Sequence, residues 1–134
     1  MAPDRDAGFD AILAVTDTRR ALQALALAAR ARFDGPVVGI TGSNGKTLVK
    51  ELLSAILARE RTVHRSPGSY NSQIGVALSL LSLRPEHDVA IIEAGISEVG
   101  EMVRLAAMIR PSVGVLTNIG TAHAAGLVTP QITA

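Results

Sequence analysis

The sequence predicts an α/β fold in which a parallel sheet is flanked by helices on both faces. From residue 37 onward, apolar runs alternate with segments of helical periodicity without a break. The apolar runs are continuous, which is typical of strands that are covered on both faces. Short right-handed crossovers between such strands give a parallel sheet, so these observations together predict the fold class.

The elements follow from the chain in order. Residues 1–10 are polar, and residues 11–15 are expected to form a short strand. The Ala- and Leu-rich segment 19–32 predicts a helix, which the breaker Asp34-Gly35-Pro36 ends. The alternating elements expected after this breaker are strand 37–41, helix 47–58, strand 61–65, helix 73–83, strand 88–93, helix 100–109 and strand 113–117. The Leu and Val stripe of each helix is expected to be core.

Composition excludes several classes of function. The 134 residues are 48% hydrophobic but include only three aromatic residues, so the core must be built from Ala, Leu, Val and Ile. A net charge of +1 gives no electrostatic reason to expect nucleic acid or a membrane surface as a partner. The absence of cysteine excludes disulfides and thiol chemistry. No apolar run approaches the ~20 residues of a membrane span, so a soluble cytoplasmic protein is expected.

A glycine-rich turn, T-G-S-N-G-K-T at 41–47, joins the strand at 37–41 to the next helix. Glycines let the backbone approach a phosphate, and a helix N-terminus offers free N–H groups and partial positive charge. Lys46 would reach the outer phosphates, and Thr47 would place a hydroxyl on Mg²⁺. The common pattern has a glycine where Ile40 stands, so a plain turn with an incidental lysine is the alternative. Only Lys46 and Lys50 among thirteen basic residues are lysines, which favours the phosphate-binding interpretation and a P-loop-type sheet.

Three further polar loops follow strands directly, at 66–73, 93–98 and 118–123. Ligands of a parallel sheet bind beyond the carboxyl ends of its strands. The four loops are therefore expected to open on one edge of the sheet and to form one composite site.

Several side chains in these loops have two interpretations. Glu93 ends a buried strand and suits Mg²⁺, although a solvated strand-end acid is the alternative. His123 is the only histidine in a loop on the binding edge, and its spacing leaves a ligand role and plain polar surface both open. Asn118 either supports a turn or contacts a base or ribose. The run at 70–73 either caps the helix that begins at 73 or binds a polar substrate.

Four motifs together resemble the central ATP-binding domain of the Mur ligase family. They are T-G-S-N-G-K-T at 41–47, S-Y-N-S-Q-I-G at 69–75, E-A-G-I-S at 93–97 and T-N-I-G-T-A-H at 117–123. They occur in the family's order and cover about 36–126. The resemblance implies that 1–35 is a lead-in from the end of an N-terminal domain. Residues 36–134 would then be a truncated central domain, incomplete at its C-terminal end.

The resemblance implies an ATP-dependent amide ligase of peptidoglycan precursor synthesis. In this family ATP phosphorylates a carboxylate, and an amine then displaces phosphate from the acyl phosphate. The likeness is strongest to members that join D-alanyl-D-alanine to UDP-N-acetylmuramoyl-tripeptide, including a form fused to alanine racemase. No lysine follows Lys50, whereas family members carry a later carbamylated lysine and a further domain. The chain is therefore expected to be a fragment that is inactive alone.

The resemblance also implies residue roles, with ATP and Mg²⁺ as the bound groups and a monomer as the acting form. Phosphate contacts are implied for Gly42, Ser43, Asn44, Gly45, Lys46 and Thr47. Mg²⁺ ligation is implied for Thr47, Glu93 and, at a second ion, His123. Asn118 would contact the nucleotide, and the UDP-muramoyl peptide would lie near Ser69, Tyr70, Asn71, Ser72 and Gln73. Catalytic roles are implied for Lys46, Glu93 and His123.

Three alternatives to this function remain at the level of sequence. The chain is similar enough in its core motifs to suit another Mur-type ligase or a folylpolyglutamate-synthase-like ligase. The loop at 69–73 argues against the latter. A non-catalytic nucleotide-binding module is the alternative from a different class.

Overall fold

A computed structural model describes residues 12–120 of the chain. Their helices and strands are α1 (Thr18–Ala31), β1 (Val37–Thr41), α2 (Lys46–Leu57), β2 (Val63–Arg65), α3 (Gln73–Leu81), β3 (Val89–Glu93), α4 (Glu101–Ile109) and β4 (Val113–Leu116). Every element predicted from residue 19 onward is present, and its ends shift by two residues at most. No helix among the described residues is long and apolar enough to cross a membrane.

The strand predicted at 11–15 is wrong for residues 12–15, and Ala11 lies outside the described residues. This segment has no strand geometry, and Leu13 is 73% exposed. It runs just ahead of Asp17, whose carboxylate caps α1 by accepting a hydrogen bond from the Arg20 N–H at 3.0 Å. A short apolar run becomes a strand only when a neighbour supplies its backbone hydrogen bonds, and among the described residues no strand pairs with it.

The four strands form one parallel sheet in the order β2-β3-β1-β4. The parallel α/β prediction is therefore confirmed. Ile40 of β1 lies in register with Glu93 of β3, and Thr41 lies in register with Leu116 of β4. The strand order thus places the loop after β1 between the loops that follow β3 and β4.

Helices cover both faces of the sheet, as predicted. On one face, α1, α3 and α4 pack together over a core that includes Ala26, Leu80, Ile92 and Leu105. On the other face, α2 packs against Ile40, Ile91 and their neighbours. All five residues of β3 are buried, so its final residue, Glu93, reaches the site from the interior of the sheet.

The core prediction for the Leu and Val residues of each helix is only partly correct, since Leu25 of α1, Leu78 of α3 and Val103 of α4 are exposed. In α2 it is half correct. Val49, Leu53 and Leu57 pack on the sheet, whereas the flanking apolar residues Leu48, Leu52 and Ile56 are exposed. The buried side of the helix is completed by two polar residues, Lys50 and Ser54. The helix is therefore rotated so that Lys50 and Ser54 are buried beside one apolar row, while the other apolar row is exposed.

Candidate functional site

The loops that follow β1, β2 and β3 meet residues 117–120, which follow β4, at one edge of the sheet. The Asn44 N–H donates to Asn118 Oδ1 at 2.9 Å, which joins the first and last of these loops. The Asn71 side chain donates to Glu93 Oε1 at 2.9 Å, which joins the second and third. The predicted composite edge is confirmed for the described residues; Thr121, Ala122 and His123 lie outside them.

The loop at 42–47 owes its shape to two glycines with positive φ, Gly42 at 132° and Gly45 at 81°. A Cβ at position 42 would lie 2.1 Å from Thr117 Oγ1, so the loop admits no larger residue there. Gly45 is the cap residue of α2 and has no side chain that could accept a hydrogen bond from the helix. The first turn of α2 therefore presents backbone N–H groups that have no partner within the helix.

Lys46, the first residue of α2, curls back over its own loop. Its Nζ donates to the Gly42 carbonyl oxygen at 2.7 Å and lies 3.5 Å from that of Ser43. Because these carbonyls are the only acceptors recorded for Nζ in the described part of the chain, a bound anion would give the ammonium a charged partner in their place. The first turn of α2 contains no acidic residue that would repel such an anion.

Residues 117–120 hold the loop at 42–47 from the side of β4. The Ser43 N–H donates to the Asn118 backbone carbonyl at 3.0 Å, in addition to the bond from Asn44 to Asn118 Oδ1. Thr117 Oγ1 donates to the Asn44 carbonyl at 2.6 Å, and the Gly120 N–H donates to Ser43 Oγ at 2.8 Å. Asn118 therefore has a structural role in the loop, whereas its contact with a nucleotide stays a prediction.

Glu93 is buried, with 1% of its surface exposed, so the alternative of a solvated strand-end acid is wrong. Its Oε2 accepts a hydrogen bond from Thr47 Oγ1 at 2.9 Å, and its Oε1 accepts the bond from Asn71. The Ser66 hydroxyl accepts a hydrogen bond from the Glu93 backbone N–H at 3.1 Å. Glu93 thus connects the glycine-rich loop to the polar loop after β2.

The pair formed by Thr47 and Glu93 suits a hard cation. A hydroxyl carries two lone pairs besides its proton, so Thr47 can donate to Glu93 and still offer a lone pair to Mg²⁺. Within residues 12–120 no three His, Cys, Asp or Glu residues cluster as a metal site. The third predicted ligand, His123, lies outside the described residues, so the second metal position stays a prediction.

Lys50 is a site residue that sequence reasoning missed. Its side chain is fully buried, and its Nζ lies 3.5 Å from Glu93 Oε2. It also donates a hydrogen bond to the Gly68 carbonyl in the loop after β2. The sequence did carry a signal, since Lys50 follows Lys46 by four residues and therefore lies on the same side of the helix.

The segment predicted to bind substrate divides into several structural roles. Ser72 caps α3 by accepting from the Gly75 N–H at 3.2 Å, so the capping interpretation is confirmed for this residue. Asn71 binds Glu93, and its backbone carbonyl accepts from the Gly95 N–H at 2.8 Å. Ser69 and Tyr70 are exposed beside them. Contact of this segment with a substrate stays a prediction.

A cavity of about 200 Å³ lies between Lys46 and the segment predicted to bind substrate. Its walls are contributed by the loops after β2 and β3 and by the starts of α2 and α4. The lining residues are Lys46, Asn71, Ser72, Gly95, Ile96, Ser97 and Glu101. A polar group held in this cavity would lie beside both Lys46 and the Asn71 side chain.

Glu101 is a second residue that sequence reasoning missed. Its buried carboxylate accepts hydrogen bonds from the Ser97 N–H at 2.8 Å, the Ser97 hydroxyl at 2.9 Å and the Gln73 amide at 3.1 Å. The side-chain oxygen of Gln73, Oε1, in turn accepts a hydrogen bond from the side-chain amide of Gln23 in α1 at 3.2 Å. Burial alone raises the pKa of Glu101, but the hydrogen bonds from Ser97 and Gln73 outweigh it, so the pKa is lowered.

Comparisons with known proteins match this architecture. The family model of the Mur ligase middle domain matches residues 40–131. A UDP-N-acetylmuramoyl-tripeptide–D-alanyl-D-alanine ligase of Synechocystis is 45% identical over 109 residues, which cover 81% of this chain and 24% of that protein. Ligases of the same name from Treponema pallidum and Bacillus subtilis are 44% and 39% identical, over 90% and 84% of this chain. The chain spans about a quarter of the length of these curated relatives.

Solved structures of MurF ligases also match this chain. A crystal structure of MurF from Acinetobacter baumannii superposes with a TM-score of 0.85 at 36% identity, and covers 90% of this chain and 27% of that one. The MurF ligase of Thermotoga maritima, solved in complex with ADP, superposes with a TM-score of 0.82 at 33% identity. It covers 96% of this chain and 30% of the Thermotoga chain.

Proposed function

This chain belongs to the Mur ligase family, and on that premise we propose that it is the ATP-binding part of a peptidoglycan-precursor ligase. The complete reaction would join D-alanyl-D-alanine to UDP-N-acetylmuramoyl-tripeptide in the cytoplasm, by way of an acyl phosphate. These substrates are the ones that the names of the relatives state. The acting form is proposed to be a monomer.

One observation carries this proposal: the buried carboxylate of Glu93 accepts hydrogen bonds from both Thr47 and Asn71, each at 2.9 Å. Thr47 belongs to the first turn of α2, beside Lys46. Asn71 belongs to the segment expected to face the peptide substrate. A phosphoryl donor and a carboxylate acceptor must be held in line with each other. The two hydrogen bonds to Glu93 fix the two loops that would hold them.

In the proposed mechanism the chain binds and orients the reactants. The backbone N–H groups at the start of α2 would hold phosphate oxygens, and Lys46 would leave the Gly42 and Ser43 carbonyls to contact the β- and γ-phosphates. Thr47 and Glu93 would hold Mg²⁺. When bound, this ion supplies neutralisation of phosphate charge.

The bond changes define what the cavity beside Lys46 must accommodate. A substrate carboxylate oxygen bonds to the γ-phosphorus, and the bond from that phosphorus to the β-phosphate oxygen breaks to leave ADP. The amine nitrogen then bonds to the acyl carbon, phosphate leaves with the electron pair, and the amine gives up a proton. Asn71, Ser72 and Ser97 line the cavity and would orient the polar substrate there.

The ligase function is tested in a chimaera in which this chain replaces the matching segment of the Bacillus subtilis relative. Phosphate release is measured with both UDP-N-acetylmuramoyl-tripeptide and D-alanyl-D-alanine, and with each omitted in turn. We expect release only when both are present, and none in a matched chimaera that carries Lys46→Ala. If D-alanyl-D-alanine gives no stimulation while another amino acid or dipeptide does, this substrate assignment is wrong.

The chain by itself is proposed to bind ATP and Mg²⁺ without turnover. The contacts of Glu93 with Thr47 and Asn71 would form one side of a nucleotide site. The chain spans only about a quarter of the length of its relatives. Calorimetry gives the binding, and a phosphate-release assay gives the turnover. Steady phosphate release by the 134-residue chain would contradict this part of the proposal.

A further inference from the structure

Lys50 is a fully buried cation. Lysine is almost never fully buried unless its charge is paired. Three oxygens surround its Nζ: the Gly68 carbonyl, which accepts its hydrogen bond, Glu51 Oε1 at 3.4 Å and Glu93 Oε2 at 3.5 Å. They come from the loop after β2, from α2 and from the end of β3, so one ammonium contacts three separate elements.

The contact with Glu93 falls on the oxygen that also faces the glycine-rich loop. Glu93 Oε2 accepts a hydrogen bond from the Thr47 hydroxyl and lies 3.5 Å from Lys50 Nζ, and these two residues are three positions apart on α2. The other oxygen, Oε1, is held by Asn71. The carboxylate is therefore fixed on both sides and cannot turn away from Thr47 without losing a contact.

The contact with Gly68 fixes a different part of the site. Gly68 has a positive φ of 48° in the turn just before the segment that carries Asn71. The Tyr70 N–H closes this turn by donating to the Pro67 carbonyl at 3.0 Å. Lys50 therefore ties the turn at 67–70 to α2 at the same time as it holds Glu93.

We propose that Lys50 is a positioning residue, which holds Glu93 beside Thr47 and the loop of Asn71 beside Glu93. The proposed Mg²⁺ ligands and the predicted substrate segment would then be fixed relative to each other. This inference rests on the proposed function, because it takes Glu93 and Thr47 as the groups that would hold Mg²⁺. In this proposal Lys50 acts through Glu93 and Gly68, not by contacting nucleotide or substrate itself. Its expected effect is on the gain in nucleotide affinity that Mg²⁺ provides.

The test measures ADP binding to the full chain by calorimetry, once with Mg²⁺ and once with a chelator. Lys50→Met removes the charge and keeps an unbranched side chain. We expect the gain from Mg²⁺ to fall by about tenfold to a hundredfold, as for other partners that orient a metal ligand. Affinity for ADP without Mg²⁺ should stay the same, since Lys46 and the start of α2 are unchanged. A role in folding alone would not separate the two affinities.

Two further variants keep the test decisive. Lys50→Met leaves Glu93 buried without a cation and can fail to fold, so Lys50→Arg is made as well. Arginine keeps the charge, but its longer planar head cannot occupy the point that Nζ occupies, and the gain from Mg²⁺ should again fall. Glu51→Gln is the matched control. It neutralises the half-exposed carboxylate that pairs with Lys50 and Arg65, and it should leave both affinities unchanged.

The outcomes separate this inference from the function on which it rests. If the native chain shows no gain from Mg²⁺, the proposed nucleotide site itself is wrong. If the native chain shows the gain and a folded Lys50→Met or Lys50→Arg variant keeps it in full, the positioning role is overturned. A tighter response to Mg²⁺ in Lys50→Met would also overturn it, because Lys50 would then be a competitor of the cation.

Discussion

The starts of α2 and α4 have the same backbone and opposite chemistry. Each helix begins directly after a left-handed glycine, Gly45 at φ 81° and Gly100 at φ 78°, and each follows a strand of the same sheet. The first helical residue is Lys46 in α2 and Glu101 in α4. The charge of that one residue differs in sign: Glu101 accepts hydrogen bonds from Ser97 and Gln73, whereas Lys46 would attract an anion to the start of α2.

The two starts also differ in what they contribute to stability. A carboxylate is favourable at the positive end of a helix, and a lysine is unfavourable there. Glu101 accepts two hydrogen bonds from Ser97 and stabilises the loop before α4. Within residues 12–120, the hydrogen bonds of Lys46 Nζ go only to carbonyls of its own loop. The chain thus gives up helix stability at α2, where the proposed phosphate site lies, and gains it at α4, where the carboxylate holds a loop.

The largest expected effect comes from removing the cation at α2. Lys46→Ala should weaken ATP binding by roughly tenfold to a hundredfold, because a hydrogen bond to a charged group is worth about 1.5–3 kcal/mol. Its melting temperature should not fall. Calorimetry and thermal unfolding check the two statements, with the exposed Arg59→Ala as a control of equal charge change. Equal ATP affinity in Lys46→Ala and the native chain would refute the phosphate-loop assignment.

Removing the acid at α4 should act on stability instead. Glu101→Ala leaves the Ser97 N–H without its acceptor and should lower the free energy of unfolding by about 1–3 kcal/mol. Urea unfolding measures this. Glu98→Ala is the matched control, since Glu98 is exposed and lies 3.9 Å from Arg104, and its unfolding midpoint should not move. If both variants unfold alike, Glu101 is not the residue that stabilises this loop.

The two starts should also differ in their response to acid. The pKa of Glu101 is lowered in the folded protein, so the unfolded chain binds more protons at moderately acid pH. Its contribution to stability is fully present above the unfolded value of about 4.3 and is lost as pH falls through the lower folded value. The difference in unfolding free energy between the native chain and Glu101→Gln should therefore shrink toward low pH. A difference that grows toward low pH would contradict the direction of the shift.

Substituting the two cap glycines tests whether the backbones are equivalent. An added Cβ meets nothing within 4 Å at Gly45 or at Gly100, so Gly45→Ala and Gly100→Ala should cost only the strain of the left-handed conformation. That strain is about 1–2 kcal/mol in each variant. Asparagine at either position should cost less. Clearly unequal costs in urea unfolding would mean that the two caps are not equivalent.

The smallest expected effect concerns Asn118, whose side chain holds the loop before α2 in its conformation. Asn118→Ala removes the acceptor of the Asn44 N–H, and the loss of one such bond costs about 0.5–1.5 kcal/mol. ATP affinity should therefore fall by less than in Lys46→Ala, by roughly tenfold at most. Calorimetry compares the two variants. A loss as large as that of Lys46→Ala would instead favour the direct nucleotide contact that the family resemblance implies.

The parts of the fold and site that follow from chain order were predictable from sequence. Loops after parallel strands must share an edge, which is why the sequence predicts that 42–47, 66–73, 93–98 and 118–123 lie together. Lys50 and Glu101 were missed because a charge inside a helix usually faces solvent. Whether such a charge is buried depends on how each helix is rotated on the sheet. In α2 the apolar rows 48/52/56 and 49/53/57 are adjacent, so the sequence does not determine which row faces the sheet.

The close approach at Gly42 sets the order in which the protein can assemble. Thr117 and Asn118 fill the space beside Gly42, and the bonds that join this loop to β4 span 73 to 77 residues of chain. Contacts of such long range form late in folding, after local helices. During synthesis, the loop at 42–47 therefore leaves the ribosome before residues 117–120 and acquires its shape only after residue 120 has emerged. Until then we expect that the nascent chain does not bind ATP.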